Sequence, residues 1–121
     1  MIWKHRLGKT AEWKAWQFLK SKNYKLLHKN YRNKLGEIDL IVEKDDVLVF
    51  VEVKSMTHHQ VFVPEDHFNH AKRKKQILLA RAYLSALRHE MNARIDLVTV
   101  IEKDGDFFIE HYENVIHEHS L

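Results

Sequence analysis

The chain has 121 residues, three glycines and one proline, enough for one domain with one core and too few turn formers for a loop-rich or disordered chain. It has no cysteine, which excludes a disulfide framework and a thiolate zinc site. A net charge of +3 and an isoelectric point near 9.1 allow nucleic-acid binding without demanding it.

In chain order, Met1 to Arg6 contain no apolar run long enough for a signal peptide, and nothing downstream approaches a membrane span. The expected location is the cytoplasm, with no membrane partner. Residues 9–22 are expected to form an amphipathic helix with Thr10 as N-cap and Ala11, Ala15, Phe18 and Leu19 as its buried stripe. Ser21-Lys22-Asn23 ends it. Residues 24–31 suit a first strand. Ile38 to Val42 and Val47 to Val53 are rich in β-branched and apolar residues and suit two more. Residues 55–68 show no period and read as a long loop, which in a compact domain is usually functional or mobile. Residues 69–90 read as a second helix, basic at its start. Ile95 to Ile101 is expected to be a strand, Asp104-Gly105 a turn, and Phe107 to His111 a last strand. The polar residues 112–121 are expected to be peripheral and frayed. The order α-β-β-β-α-β(-β) implies a single α/β domain over residues 1–121, a mixed central sheet flanked by helices.

The hairpin carries the chemistry. If Asp45-Asp46 form a two-residue loop, Lys44 faces Val47, Asp39 faces Glu52 and Glu37 faces Lys54. The loop lacks the glycine that favours such turns. Side chains alternate along strands, so Glu37, Asp39, Glu52 and Lys54 are expected on one face with Ile41 and Phe50. Ile38, Leu40, Val42, Val49, Val51 and Val53 take the other. Opposed Cβ atoms lie about 4.5–5.5 Å apart, close enough for Asp39 and Glu52 to share a cation. A one-residue slip would break the set. The competing reading is a solvated face with an ordinary Glu37–Lys54 ion pair. Against it stand the apolar Ile41 and Phe50, and the cost of placing Lys54 after an apolar run without partners.

Gly36-Glu37-Ile38-Asp39-Leu40-Ile41 with Phe50-Val51-Glu52-Val53-Lys54 resembles the signature of the YraN-type family of small bacterial proteins. That family is uncharacterised, with an endonuclease-like fold similar to archaeal Holliday-junction resolvases of the PD-(D/E)XK superfamily. The resemblance covers most of the chain. Gly8, Glu12, Ala15 and Leu19 match its opening helix, and Asn30-Tyr31-Arg32 precedes the Gly-Glu-Ile-Asp motif. Ala80, Tyr83 and Leu84 match its second helix. Arg94-Ile95-Asp96 is similar to an Arg-Phe-Asp motif at the next strand. The resemblance implies a restriction-endonuclease-like fold in which Asp39 and Glu52 are metal ligands, Glu12 lies beside the metal and Lys54 is catalytic. Glu37 would ligate metal or orient Lys54. The implied cofactor is Mg²⁺ or Mn²⁺, a hard cation that takes carboxylate oxygens. The implied substrate is DNA, branched or structured, and related resolvases suggest a homodimer. Three positions depart from the family pattern. Met56 stands where an arginine is usual, Val63 where a glycine precedes proline, and Ala11 where a glycine precedes the glutamate.

Lys72, Arg73, Lys74 and Lys75 open the second helix, an unfavourable place for cations unless they grip phosphates or are simply solvated. Arg32 and Lys34 are further candidate phosphate contacts. Trp13 and Trp16, three apart on the first helix, read as packing residues ahead of base-stacking ones, as does Trp3. Of the ten histidines, His67 and His70 have ligand-compatible spacing if the second helix begins early. His58, His59, His117 and His119 read as surface residues. One loop histidine approaching the acidic site stays open. Besides a nuclease, the sequence admits a non-catalytic nucleic-acid-binding module and a protein-interaction domain on the same fold.

Overall fold

The computed structural model describes residues 2–57 and 67–116, with side chains from Lys9 onward. The order is α1 (Ile2–Ser21), β1 (Lys25–Asn33), β2 (Gly36–Lys44), β3 (Val47–Thr57), α2 (His70–Ser85), β4 (Asn92–Lys103) and β5 (Asp106–Tyr112). The five strands form one sheet in the order β1-β2-β3-β4-β5, with β3 and β4 parallel and the other neighbours antiparallel. A parallel pair needs a long crossover, and α2 lies in it. This is an α/β architecture with the expected element order, consistent with a restriction-endonuclease-like fold. Among the described residues no helix is long and apolar enough to cross a membrane.

Each helix buries one stripe on one face of the sheet. Ala11, Ala15 and Leu19, spaced four apart, pack on Leu40, Val42, Val49, Val51, Val98 and Val100. On the opposite face, Ile77, Leu79 and Ala80 of α2 pack on Ile38, Ile41, Leu48, Phe50, Ile95 and Leu97. Strand β4 is buried from Ile95 through Val100, as a strand covered on both faces should be.

Helix α1 begins well before residue 9, so Thr10 is an interior residue and not an N-cap. No proline interrupts the opening segment, and Gly8 alone is too weak a breaker to stop a helix. Its end is as expected. Asn23 takes a left-handed φ of 71°, Tyr24 N–H reaches the Leu19 carbonyl and Asn23 N–H the Lys20 carbonyl, a Schellman closure. Helix α2 starts at His70 behind Asn69, whose side-chain oxygen accepts the Lys72 N–H. It stops at Ser85 rather than near Glu90. Ala86 and Leu87 N–H bond three residues back, to Tyr83 and Leu84, and Leu87 and Met91 then fold onto the core.

Ser55, Met56 and Thr57 belong to β3, not to a loop, because β4 pairs with them. The rest of the expected loop, with Val63 and Pro64, lies outside the described residues. Met56, where the family pattern has an arginine, is buried. Residues after β5 are not all frayed. Ile116 is fully buried, and Val115 N–H donates to the Ile95 carbonyl.

Candidate active site

The hairpin register follows from its turn. Asp45 and Asp46 both take left-handed φ, 52° and 63°, the geometry of a type I′ turn, which aspartate tolerates without glycine. Lys44 faces Val47, and the ladder runs to Leu40 opposite Val51. It stops there. The next β3 amide on that edge, Val53 N–H, is taken at 2.8 Å by a carboxylate oxygen of Asp39. Asp39 therefore sits where β2 and β3 part, satisfying with its side chain a donor the sheet leaves open.

Strict alternation fails at this point. Leu40 packs with the α1 layer, while Ile38 and Ile41 both pack with the α2 layer. Ile38 is thus not on the face expected for it, and Glu37 lies on the α1 side. The neighbouring strand switches face at the matching position. Tyr31 packs with the α2 layer, whereas Lys29 reaches over Trp13 of α1. Between them Asn30 has a left-handed φ of 51°. Glu37 does not pair with Lys54. Its carboxylate takes Arg32 at 2.9 Å and, with the Asn30 amide oriented to satisfy its neighbours, Asn30 at 2.9 Å. The same amide reaches Glu12 of α1 at 3.2 Å. Gly36 is favoured by its φ of 146°, which other residues rarely adopt, and a Cβ there would stand 3.3 Å from the Lys75 side chain, which would have to shift.

From the other face come Glu52 and Lys54. Glu52 accepts from Gln76 at 3.3 Å and lies 3.5 Å from His67. His67 is also 3.2 Å from the Lys72 ammonium. Alternation from the buried Leu48 and Phe50 places Lys54 on the same side as Glu52. Gln76 is a functional candidate that sequence reasoning missed. A buried glutamine in Lys-Lys-Gln-Ile-Leu-Leu looks like a surface residue until the acid opposite it is known. His67 is a histidine of the 58–70 stretch that comes near Glu52, but α2 begins only at His70, so His67 and His70 do not share a turn of that helix.

Four acids converge from three elements, and electrostatics registers it. Burial, then the Glu52 charge, push the Asp39 carboxyl up to about 7, against the pull of the Val53 N–H; Glu12 and Glu37 add to the rise. Burial also raises Glu12, the Asn30 hydrogen bond draws it back, and Glu37 pushes it up again. A carboxyl raised by neighbouring carboxylates, with oxygen donors on both sides, suits a hard divalent cation. The fit is a matter of donor chemistry. Among the described residues, a group of three candidate ligands with donor atoms within 4.8 Å of one another lies elsewhere: Asp96, His111 and Glu113.

The candidate phosphate contacts divide by position. Lys72 and Lys75, in the first turns of α2, stand beside Glu52 through His67 and beside Gly36. Arg73 and Lys74 edge a groove along α2 that continues through Ile77 and Leu78 to Arg81. Arg32 is exposed but already paired with Glu37, and Lys34 is exposed in the β1–β2 turn. Trp13 is 52% exposed, so it is not the packing residue expected, whereas Trp16 packs on the α1 layer. The Trp3 side chain, His58, His59, His117 and His119 lie outside the described residues.

Residues 11–100 match the model of the uncharacterised protein family UPF0102. The chain is 38% identical to a UPF0102 protein of Thermodesulfovibrio yellowstonii over 89% of its length and 93% of that protein's. It is 31% identical to one of Carboxydothermus hydrogenoformans, over 93% and 97% respectively. It is 38% identical to one of Fervidobacterium nodosum, over 93% and 84%.

Proposed function

This chain belongs to the uncharacterised protein family UPF0102, and we propose that it is a cytoplasmic, divalent-metal-dependent endonuclease acting on DNA phosphodiesters. The reading rests on one observation. Asp39 is anchored by the β3 backbone at the mouth of the hairpin and driven to a pKa of about 7 by burial and three surrounding acids. Strongly perturbed carboxylates beside like charges cluster at functional sites.

Asp39 and Glu52 are the proposed ligands for Mg²⁺ or Mn²⁺, with Glu12 close by. The cation would supply there a Lewis acid for the scissile phosphate and a more acidic water. Lys54 stabilises negative charge developing on the phosphate. Gln76 holds Glu52 toward the site. Lys72 and Lys75 take phosphates of the strand, so binding weakens as salt rises. Branched or otherwise structured DNA is the substrate class to set against simple duplex.

The test is cleavage of labelled single-stranded, duplex and four-way-junction DNA with Mg²⁺ or Mn²⁺. Asp39→Ala and Glu52→Ala are each expected to slow cleavage by at least about 10²–10³-fold, the scale for losing one group that stabilises the transition state. Chelator should abolish it. Salt-sensitive binding that survives both substitutions, without cleavage of any substrate, would replace the nuclease reading with a non-catalytic binding module.

A further inference from the structure

We propose that Asn30 is a positioning residue, a neutral clamp that makes Glu37 a support and leaves Glu12 as the acid that faces the cation. The role for the cation rests on the nuclease reading above; the clamp itself does not.

The β1–β2 register opposes His28 to Ile41, Lys29 to Leu40 and Tyr31 to Ile38, so Asn30 falls opposite Asp39. Both strands change face at this one step. A left-handed residue makes the change in β1, and asparagine is among the few non-glycine residues that adopt that conformation readily. The conformation brings the side-chain amide between an acid of α1 and an acid of β2. Its two hydrogens serve two carboxylates, Glu37 Oε1 at 2.9 Å and Glu12 Oε2 at 3.2 Å.

The two acids are left in different states. Both oxygens of Glu37 are engaged, Oε1 by Asn30 and Oε2 by Arg32 at 2.9 Å. Among the described residues, Glu12 has only the Asn30 donor, on Oε2, its other oxygen takes no hydrogen bond, and its charge is felt at Asp39. A lysine in place of Asn30 would also bind two carboxylates, but it would cancel their charge and repel a cation. The amide holds the acids together and leaves the site negative. Glu37 is thus neither a metal ligand nor the partner of Lys54. It fixes the amide that fixes Glu12.

Two substitutions separate the amide from the backbone it rides on. Asn30→Gly keeps the left-handed conformation and removes the donor. Asn30→Ala removes the same donor but also opposes the left-handed backbone, so a loss it shares with Asn30→Gly belongs to the amide. Mn²⁺ affinity, measured by titration of the folded protein without DNA, is expected to fall about 10–100-fold in both, the usual cost of losing a support behind a ligand. Glu12→Gln should lose at least as much, and Glu37→Gln should match Asn30→Gly. In the metal-free wild type, the Asn30 side-chain amide protons should exchange slowly with solvent, and each glutamate substitution should release one of them.

Mn²⁺ affinity unchanged in Asn30→Gly would overturn the proposal, as would amide protons indifferent to both glutamates. A wild type that binds no Mn²⁺ but shows the protected amide would sink the nuclease reading and uphold the clamp. A loss in Asn30→Ala that is absent from Asn30→Gly would assign the effect to the backbone and reject the amide's role.

Discussion

Asp39→Asn is expected to stabilise the metal-free protein at pH 8 while destroying its proposed activity. The carboxyl is held near 7 in the folded chain, against an ordinary value of 3.8. A raised carboxyl costs the folded state nothing below pH 3.8, where both states hold the proton. The cost grows as pH rises from 3.8 to 7, because the unfolded chain ionises first, and it stays constant above 7. That cost is on the order of 4 kcal/mol at pH 8. Asparagine removes it. Its carbonyl still accepts the Val53 N–H, and its new amide donor meets the surrounding acids. The expected gain in Tm is on the order of 10 °C at pH 8, vanishing near pH 4. Mg²⁺ should produce the reverse order. It should raise the Tm of the wild type by binding only the folded state and leave Asp39→Asn unmoved. Thermal denaturation at pH 4 and pH 8, with and without Mg²⁺, checks all four corners. An Asp39→Asn protein less stable than wild type at pH 8 without metal would show that burial and the neighbouring acids impose no such strain.

How much of this site was legible in the sequence depends on what sets each position. Alternation and a two-residue turn gave the hairpin register, since the period of a strand is local and Asp45-Asp46 can make the turn without glycine. The acids themselves were legible because carboxylates amid Ile, Val and Phe are costly. The face switch was not. It needs a left-handed residue in one strand and an interrupted ladder in the other, and Asn30 and Asp39 look like ordinary polar strand positions when read one strand at a time. The doublet Leu26-Leu27 does hint at irregularity, and β1 shifts register there. Glu37 was assigned to the wrong side for that single reason. Gln76 could not be found at all, because its role depends on which strand α2 crosses. Helix limits failed where tertiary packing decides them, at Leu87 and Met91, which leave the helix to pack on the core.

Asp96→Ala is expected to cost about 3–5 kcal/mol of stability and to leave divalent-metal affinity untouched. Asp96, His111 and Glu113 have ligand-like spacing, yet the oxygens of Asp96 are spoken for. It is fully buried. Arg94 Nε approaches both of its oxygens, at 3.1 and 3.2 Å. His111 Nε2 lies 2.7 Å from one, and Asn114 N–H donates to the other at 2.9 Å. Arg94 carries the network on, donating to Tyr24 at 2.7 Å and Glu113 at 3.1 Å. The network joins β4, the end of β5 and the segment after α1, on the sheet face that carries α1. It therefore ties the C-terminal residues to the sheet, and a cation entering it would have to displace a guanidinium already in place. Removing Asp96 takes the buried partner from the histidine and from a backbone N–H and leaves the Arg94 guanidinium only Tyr24 and Glu113, and breaking such a buried pair from one side is costly. Urea denaturation of Asp96→Ala should show the full loss, while Mn²⁺ titration of the folded variant should match the wild type. Stability recovered by adding Mn²⁺ to the wild type but not to Asp96→Ala would instead make this network the metal centre, and would remove the reason to look for one at Asp39.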